Sequence, residues 1–185
     1  MQLTKVVKQI LILNIIIFTI SYLMSEYKST LIVDFVLFPI ESGYFQPLQL
    51  LTYMFLHSSL AHILFNMIAL VLFGPDVERR LGSSKFLKIY LLSGIFSGLS
   101  HLVFMNSPVV GASGAIWSIM IIYTLYNPNN IFNVYFIIPI KIKYIASFLF
   151  LMELYLSFNN DGVSHIAHIG GAIFGFIAYK ISNNN

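Results

Sequence analysis

Gly111-Ala112-Ser113-Gly114 opens one apolar stretch of this 185-residue chain, and His165-Ile166-Ala167-His168-Ile169-Gly170-Gly171 opens another. A hydroxyl and an imidazole on separate helices, each among small residues, suit a nucleophile and its base. The histidine takes the serine proton and later delivers it to a leaving amine. Serine alone says little, because serines back-bond within membrane helices. An imidazole inside an apolar span is a functional candidate in its own right. A third group, His62-Ile63-Leu64-Phe65-Asn66, carries an imidazole and an amide four residues apart, which sets both on one helix face. Both can donate hydrogen bonds to a developing oxyanion, with the Ser113 backbone N–H as a further donor. Interhelical bonding is the other reading of Asn66.

No aspartate is placed to complete a triad. Asp34, Asp76 and Asp161 fall at or beyond span ends, and Glu153 lies near the outer edge of the fifth span. A carboxylate held at depth costs several kcal/mol unless paired, so the expectation is a Ser113–His168 dyad. Trp117, four residues after Ser113, shares its face and either stacks on the His168 ring or is plain core. Gly171 and Gly175 follow His168 at +3 and +7, which puts His168 on the packed glycine face and selects it over His165 as the base. His57 reads as support for the outer loop or a water ligand, and His101 as structural. Five histidines also raise metal or haem, but the sequence carries no HExxH or carboxylate–histidine ligand set. The expectation is no metal and no cofactor.

The elements that must position these groups are membrane helices. The chain is 58% hydrophobic and 9% charged, with mean hydropathy +0.83, whereas a soluble domain carries about 25% charged residues. Cysteine is absent, which excludes disulfides and thiolate chemistry. The isoelectric point near 9.1 does not indicate nucleic acid, because the basic residues are scattered among apolar spans. The reading is all-α: a polytopic six-transmembrane-helix bundle in one domain over residues 1–185. Its spans are read at 6–24, 48–73, 85–105, 113–126, 134–157 and 163–181, each long one near the roughly 20 residues that cross a bilayer core. No small-residue cleavage site follows the first span, so it reads as a retained helix. Asn183-Asn184-Asn185 reads as a polar tail.

With the N-terminus inside, Lys5, Lys8, Arg79, Arg80, Lys85, Lys88, Lys141, Lys143 and Lys180 all fall on the cytoplasmic side and only Lys28 outside, a positive-inside pattern. The fourth span is too short to cross. From Ser113 to the break at Asn127-Pro128-Asn129-Asn130 there are 14 steps, or roughly 21 Å, against a core of roughly 30 Å. Asn106 to Gly111 must therefore descend as non-helical backbone, which is tolerated only inside protein or beside water, and a submerged wet cavity follows. His168 lies roughly 18 Å above Lys180 and His62 roughly 18 Å above Gly74, with Asn66 one turn deeper. Spans two, four and six run in the same direction, so their outer ends can converge. Gly171 and Gly175 let spans four and six touch; Gly94 and Gly98 in span three read as ordinary packing.

These residues resemble the rhomboid family of intramembrane serine proteases over roughly 45–181. The resemblance rests on His57-Ser58-Ser59-Leu60-Ala61-His62-Ile63-Leu64-Phe65-Asn66, Glu78-Arg79-Arg80-Leu81-Gly82, Gly111-Ala112-Ser113-Gly114 and Ala167-His168-Ile169-Gly170-Gly171 through Gly175. It implies Ser113 as nucleophile, His168 as general base, and His62, Asn66 and Ser113 as oxyanion donors, with Gly111, Trp117 and Gly171 in support. It implies the minimal six-span bacterial form in the cell membrane, with both termini cytoplasmic and the site opening outward. The implied partners are transmembrane-helix substrates in the lipid bilayer, cleaved near their outer ends after lateral access past span five, under a cap at 158–163. Two positions depart from the family pattern: Leu48-Gln49 stands where a Trp-Arg pair is frequent, and Trp117 where Tyr or Phe is commoner. Two other function classes use the same polar residues, a transporter or channel and a non-catalytic binder of membrane helices. The oligomeric state is not legible.

Overall fold

The computed structural model describes residues 2–25, 30–134, 137–159 and 162–183. Lys28, Asp161 and the last two asparagines therefore lie outside the described residues, as does part of the expected cap. Six long helices make up the bundle: α1 (Lys5–Ser25), α3 (Leu60–Leu81), α4 (Ser83–Phe104), α5 (Ser113–Tyr126), α6 (Ile142–Leu156) and α7 (His165–Asn183). A four-residue helix, α2 (Gln49–Thr52), and three 3-10 turns fold the link between α1 and α3. The chain is an all-α polytopic membrane protein, in which α1, α3 and α4 are long and apolar enough to cross a bilayer. Large apolar side chains such as Ile16, Phe65, Val103 and Phe148 face outward, where lipid covers them.

Helix α5 matches the expected 113–126, and it is the centre of the bundle. Gly114, Ala115, Ile116, Ser118, Ile119, Met120, Ile122 and Tyr123 are buried, and a helix apolar all round belongs inside. The glycines of α7 set its distance from α5. A Cβ at Gly175 would stand 2.6 Å from the Ser118 carbonyl oxygen, and one at Gly171 would collide with the Gly114 backbone. Gly94 and Gly98 of α4 are covered instead by Met54, Tyr53 and Leu37 of the α1–α3 link.

Two spans differ from their expected bounds. The second, read at 48–73, begins at Leu60, where Ser59 caps the helix by accepting from the His62 N–H at 3.1 Å. It runs through Pro75 to Leu81, because packed membrane helices tolerate a proline that would end a helix in water. The helix end thus lies beyond Gly74, the residue from which the depth of His62 is counted. The fifth, read at 134–157, is divided. Strand β1 (Ile131–Val134) pairs antiparallel with β2 (Ile138–Lys141), Ile131 opposite Lys141, and α6 starts only at Ile142. Pro139 disfavours helix in the residue before it, and the β-branched residues around it favour strand. Phe132 of the hairpin packs on Phe73 and Tyr123.

The non-helical descent before α5 is held by protein. Leu37 and Val109 exchange both backbone hydrogen bonds, and the Gly111 N–H donates to the Tyr53 carbonyl at 2.9 Å. At the opposite end, Glu78 of α3 accepts from Thr4, from the Val6 and Val7 N–H groups and from Ser83, fastening the starts of α1 and α4. Asp76 bonds Arg80 and Asn127, so the ends of α3 and α5 share this side.

Candidate active site

Ser113 is the first residue of α5, so its N–H is one of the first-turn donors that a helix leaves unbonded. Gly111 makes this placement possible. Its φ is +132°, and a Cβ there would stand 2.7 Å from two atoms of the His62 ring, so only glycine fits. His168 comes from the first turn of α7, and its Nε2 lies 2.7 Å from Ser113 Oγ. Trp117 stacks on the His168 ring at 6.1 Å between centroids and 28° between planes. The expected pair and stack are thus brought together, and His165 is not the imidazole that meets Ser113.

Ser113 and His168 line a cavity of about 650 Å³ with His62, Asn66, His101 and Ser164. His62 Nδ1 faces Ser58, at 3.1 Å from the hydroxyl and 3.5 Å from the backbone N–H. Accepting there leaves Nε2 as the N–H donor of a neutral ring. Asn66 is 6% exposed, and its side-chain N–H₂ has no partner among the described residues. A buried donor left unbonded is unusual; this one borders the cavity that holds Ser113.

His101 bonds through both ring nitrogens. Its Nε2 donates to the Ser107 carbonyl at 2.7 Å, so its Nδ1 accepts from Ser164 Oγ at 2.6 Å. The ring ties α4 to the descent before α5 and to the link before α7. His57 is buried edge-on to His62 at 4.9 Å.

Two further residues were missed. Gln49, a departure from the family pattern, is 1% exposed and its amide is fully used. Nε2 donates to the carbonyls of Asp34 and Tyr44, and Oε1 accepts from the N–H groups of Phe38 and Gln46. It holds the loop that carries Leu37. The second is Glu153. The expectation of no carboxylate behind the histidine is corrected: Glu153 Oε2 lies 2.6 Å from His165 Nδ1 and 3.0 Å from His168 Nδ1. The first contact is an aligned hydrogen bond; the second has ion-pair distance without hydrogen-bond alignment. The same atoms form a carboxylate–histidine set within 4.8 Å, which corrects the expected absence of one: α6 and α7 assemble it, so no spacing within a single helix shows it. The signal was present, since an ionisable residue inside an apolar span is a site candidate by default.

Residues 44–183 match the family model described as Rhomboid domain. The chain is 36% identical over 138 residues to Rhomboid protease GluP of Bacillus subtilis, covering 70% of this chain and 25% of that protein. It is 33% identical over 133 residues to the putative rhomboid protease YdcA of the same organism, covering 70% and 64%. Rhomboid protease GlpG of Yersinia pestis is 38% identical over 79 residues, covering 43% and 28%. The chain therefore spans between a quarter and two thirds of the length of these relatives. With three quarters of its residues inside the matched domain, the chain belongs to the rhomboid family.

Proposed function

We propose that this protein is a serine endopeptidase that hydrolyses peptide bonds of transmembrane substrates within the bilayer. The 2.7 Å contact between His168 Nε2 and Ser113 Oγ on the cavity wall carries this reading. Ser113 Oγ bonds to the scissile carbonyl carbon while its proton passes to His168 Nε2, and the carbonyl π pair moves to the oxygen. The Ser113 N–H, the His62 ring and the Asn66 side-chain N–H₂, which has no partner among the described residues, meet that oxyanion. His168 then gives the proton to the leaving nitrogen, and water from the cavity releases the acyl group by the same steps.

The lysine and arginine distribution supports an orientation with the Glu78 end in the cytoplasm and the cavity opening outward across a bacterial cell membrane. Substrates reach Ser113 from the side and are cut near the outer ends of their helices.

The test uses purified protein in proteoliposomes with a transmembrane substrate. Wild-type protein cleaves it and takes a fluorophosphonate label on Ser113; Ser113→Ala does neither. Equal cleavage by both proteins, or absence of label on Ser113 in a cleaving preparation, overturns the assignment.

A further inference from the structure

Glu153 is a carboxylate inside an apolar helix, and its side chain is 15% exposed. It lies three residues before the end of α6, and His165 and His168 lie in the first turn of α7. The short link between the two helices brings all three to one level. Holding an ionised carboxylate at this depth costs several kcal/mol unless groups are set to meet it; here two imidazole nitrogens meet one oxygen.

We propose that Glu153 is a positioning residue for His168, held in place by His165, so that the reacting pair is backed by a glutamate. This rests on the reading of Ser113 as the nucleophile. A carboxylate oxygen 3.0 Å from a ring nitrogen repels a bare lone pair and attracts an N–H. The His168 proton therefore resides on Nδ1. In a neutral ring that leaves Nε2 bare, and Nε2 is the nitrogen that faces Ser113 Oγ. This tautomer is the one that can accept the serine proton.

The geometry also assigns the strength of the effect. The aligned hydrogen bond goes to His165, and His168 has only the ion-pair distance. The grip on a neutral His168 is thus weak. When Nε2 takes the serine proton, the ring becomes a cation facing the same carboxylate, and the attraction grows as the transition state forms. Interactions that strengthen in this way raise kcat and leave ground-state binding alone. Glu153 stays ionised throughout and transfers no proton. The 2.6 Å contact also favours a shared proton over a metal ion, because ligands around zinc at roughly 2.0–2.1 Å stand about 3.3 Å apart.

The experiment compares wild-type protein, Glu153→Gln and Glu153→Asp in proteoliposomes, with ¹⁵N NMR of histidine-labelled protein. The His168 signals are identified by their loss in His168→Asn. Glu153→Gln is expected to lower kcat by about 10- to 100-fold with KM within twofold, less than the roughly 10⁴-fold loss where an aligned hydrogen bond is removed. Glu153→Asp restores part of the rate. Wild-type His168 shows a protonated Nδ1 and a bare Nε2, and Glu153→Gln shows both tautomers. A folded Glu153→Gln with kcat within twofold of wild type overturns the proposal and leaves Glu153 as a tie between α6 and α7. Should that variant not fold, a bare Nδ1 on His168 in the wild type overturns it equally. Wild-type protein that neither cleaves nor labels at Ser113 overturns the protease reading instead.

Discussion

Gly171 and Gly114 meet backbone to backbone: any Cβ at Gly171 would overlap the Gly114 peptide. Gly114 follows Ser113, and Gly171 lies one turn after His168. The contact that fixes the spacing of two helices therefore lies directly beneath the Ser113–His168 pair. Gly171→Val is expected to destabilise the protein by about 3 kcal/mol, the upper end for overpacking, and to lower cleavage at least 10²-fold. Gly94→Ala, whose nearest neighbour is the flexible Met54 end, costs about 1 kcal/mol and leaves most activity. Thermal unfolding in detergent and proteoliposome assays separate the two.

Asn66→Ala separates catalysis from stability. Its side-chain N–H₂ bonds nothing among the described residues, so removal breaks no observed donor contact. Unfolding free energy stays within about 1 kcal/mol of wild type. kcat falls by about 10² to 10³ with the loss of one oxyanion donor. A large drop in melting temperature instead would identify Asn66 as interhelical glue.

Gln49→Leu keeps the shape and strands four backbone groups, the N–H of Phe38 and Gln46 and the C=O of Asp34 and Tyr44. The expected cost is about 2–4 kcal/mol. Faster amide exchange at Leu37 and Val109 reports it, since Gln49 holds the loop that pairs with the descent to Ser113.

His57 lies in the extended link ahead of α3. Burial first, and repulsion from His62 second, push its imidazole down to about 4; the neighbouring Phe55 backbone acts the other way without an aligned bond. The ordinary histidine value is about 6.5. Below that pH the unfolded chain takes a proton that the folded chain refuses. The neutral-His57 contribution is therefore complete above about pH 6.5 and lost as pH falls toward 4. Wild-type protein should lose about 1–2 kcal/mol more than His57→Gln between pH 7 and pH 5. Denaturant unfolding at both pH values measures the difference.

Legibility followed how local each signal was. Helix α5 was readable to the residue because Gly111 and Asn127-Pro128 bracket it. Ser113, His168, His62 and Asn66 group by helical spacing and depth and line one cavity, with Trp117 stacked on His168. The start of α3 was not readable, because no proline, glycine or charged residue interrupts Leu48 to Phe73 and the Ser59 cap is a single residue. Glu153 shares no helical spacing with Ser113 or His168. Its level depends on α6 and α7 forming a hairpin, so counting back from the α6–α7 link reaches it. Gln49 could not be found that way, since its four partners are backbone groups and leave no mark in side-chain pattern.

The Glu78 knot sets an order of events in biosynthesis. The Thr4, Val6 and Val7 groups that bind its carboxylate lie 71 to 74 residues earlier in the chain. When α1 leaves the ribosome, the partner for its first turn has not yet been translated. Helix α1 must wait in the lipid with those N–H groups at the headgroup boundary until α3 has been synthesised and inserted. The bundle is thus latched from behind, and a chain arrested before residue 78 lacks the carboxylate that closes the first turn of α1.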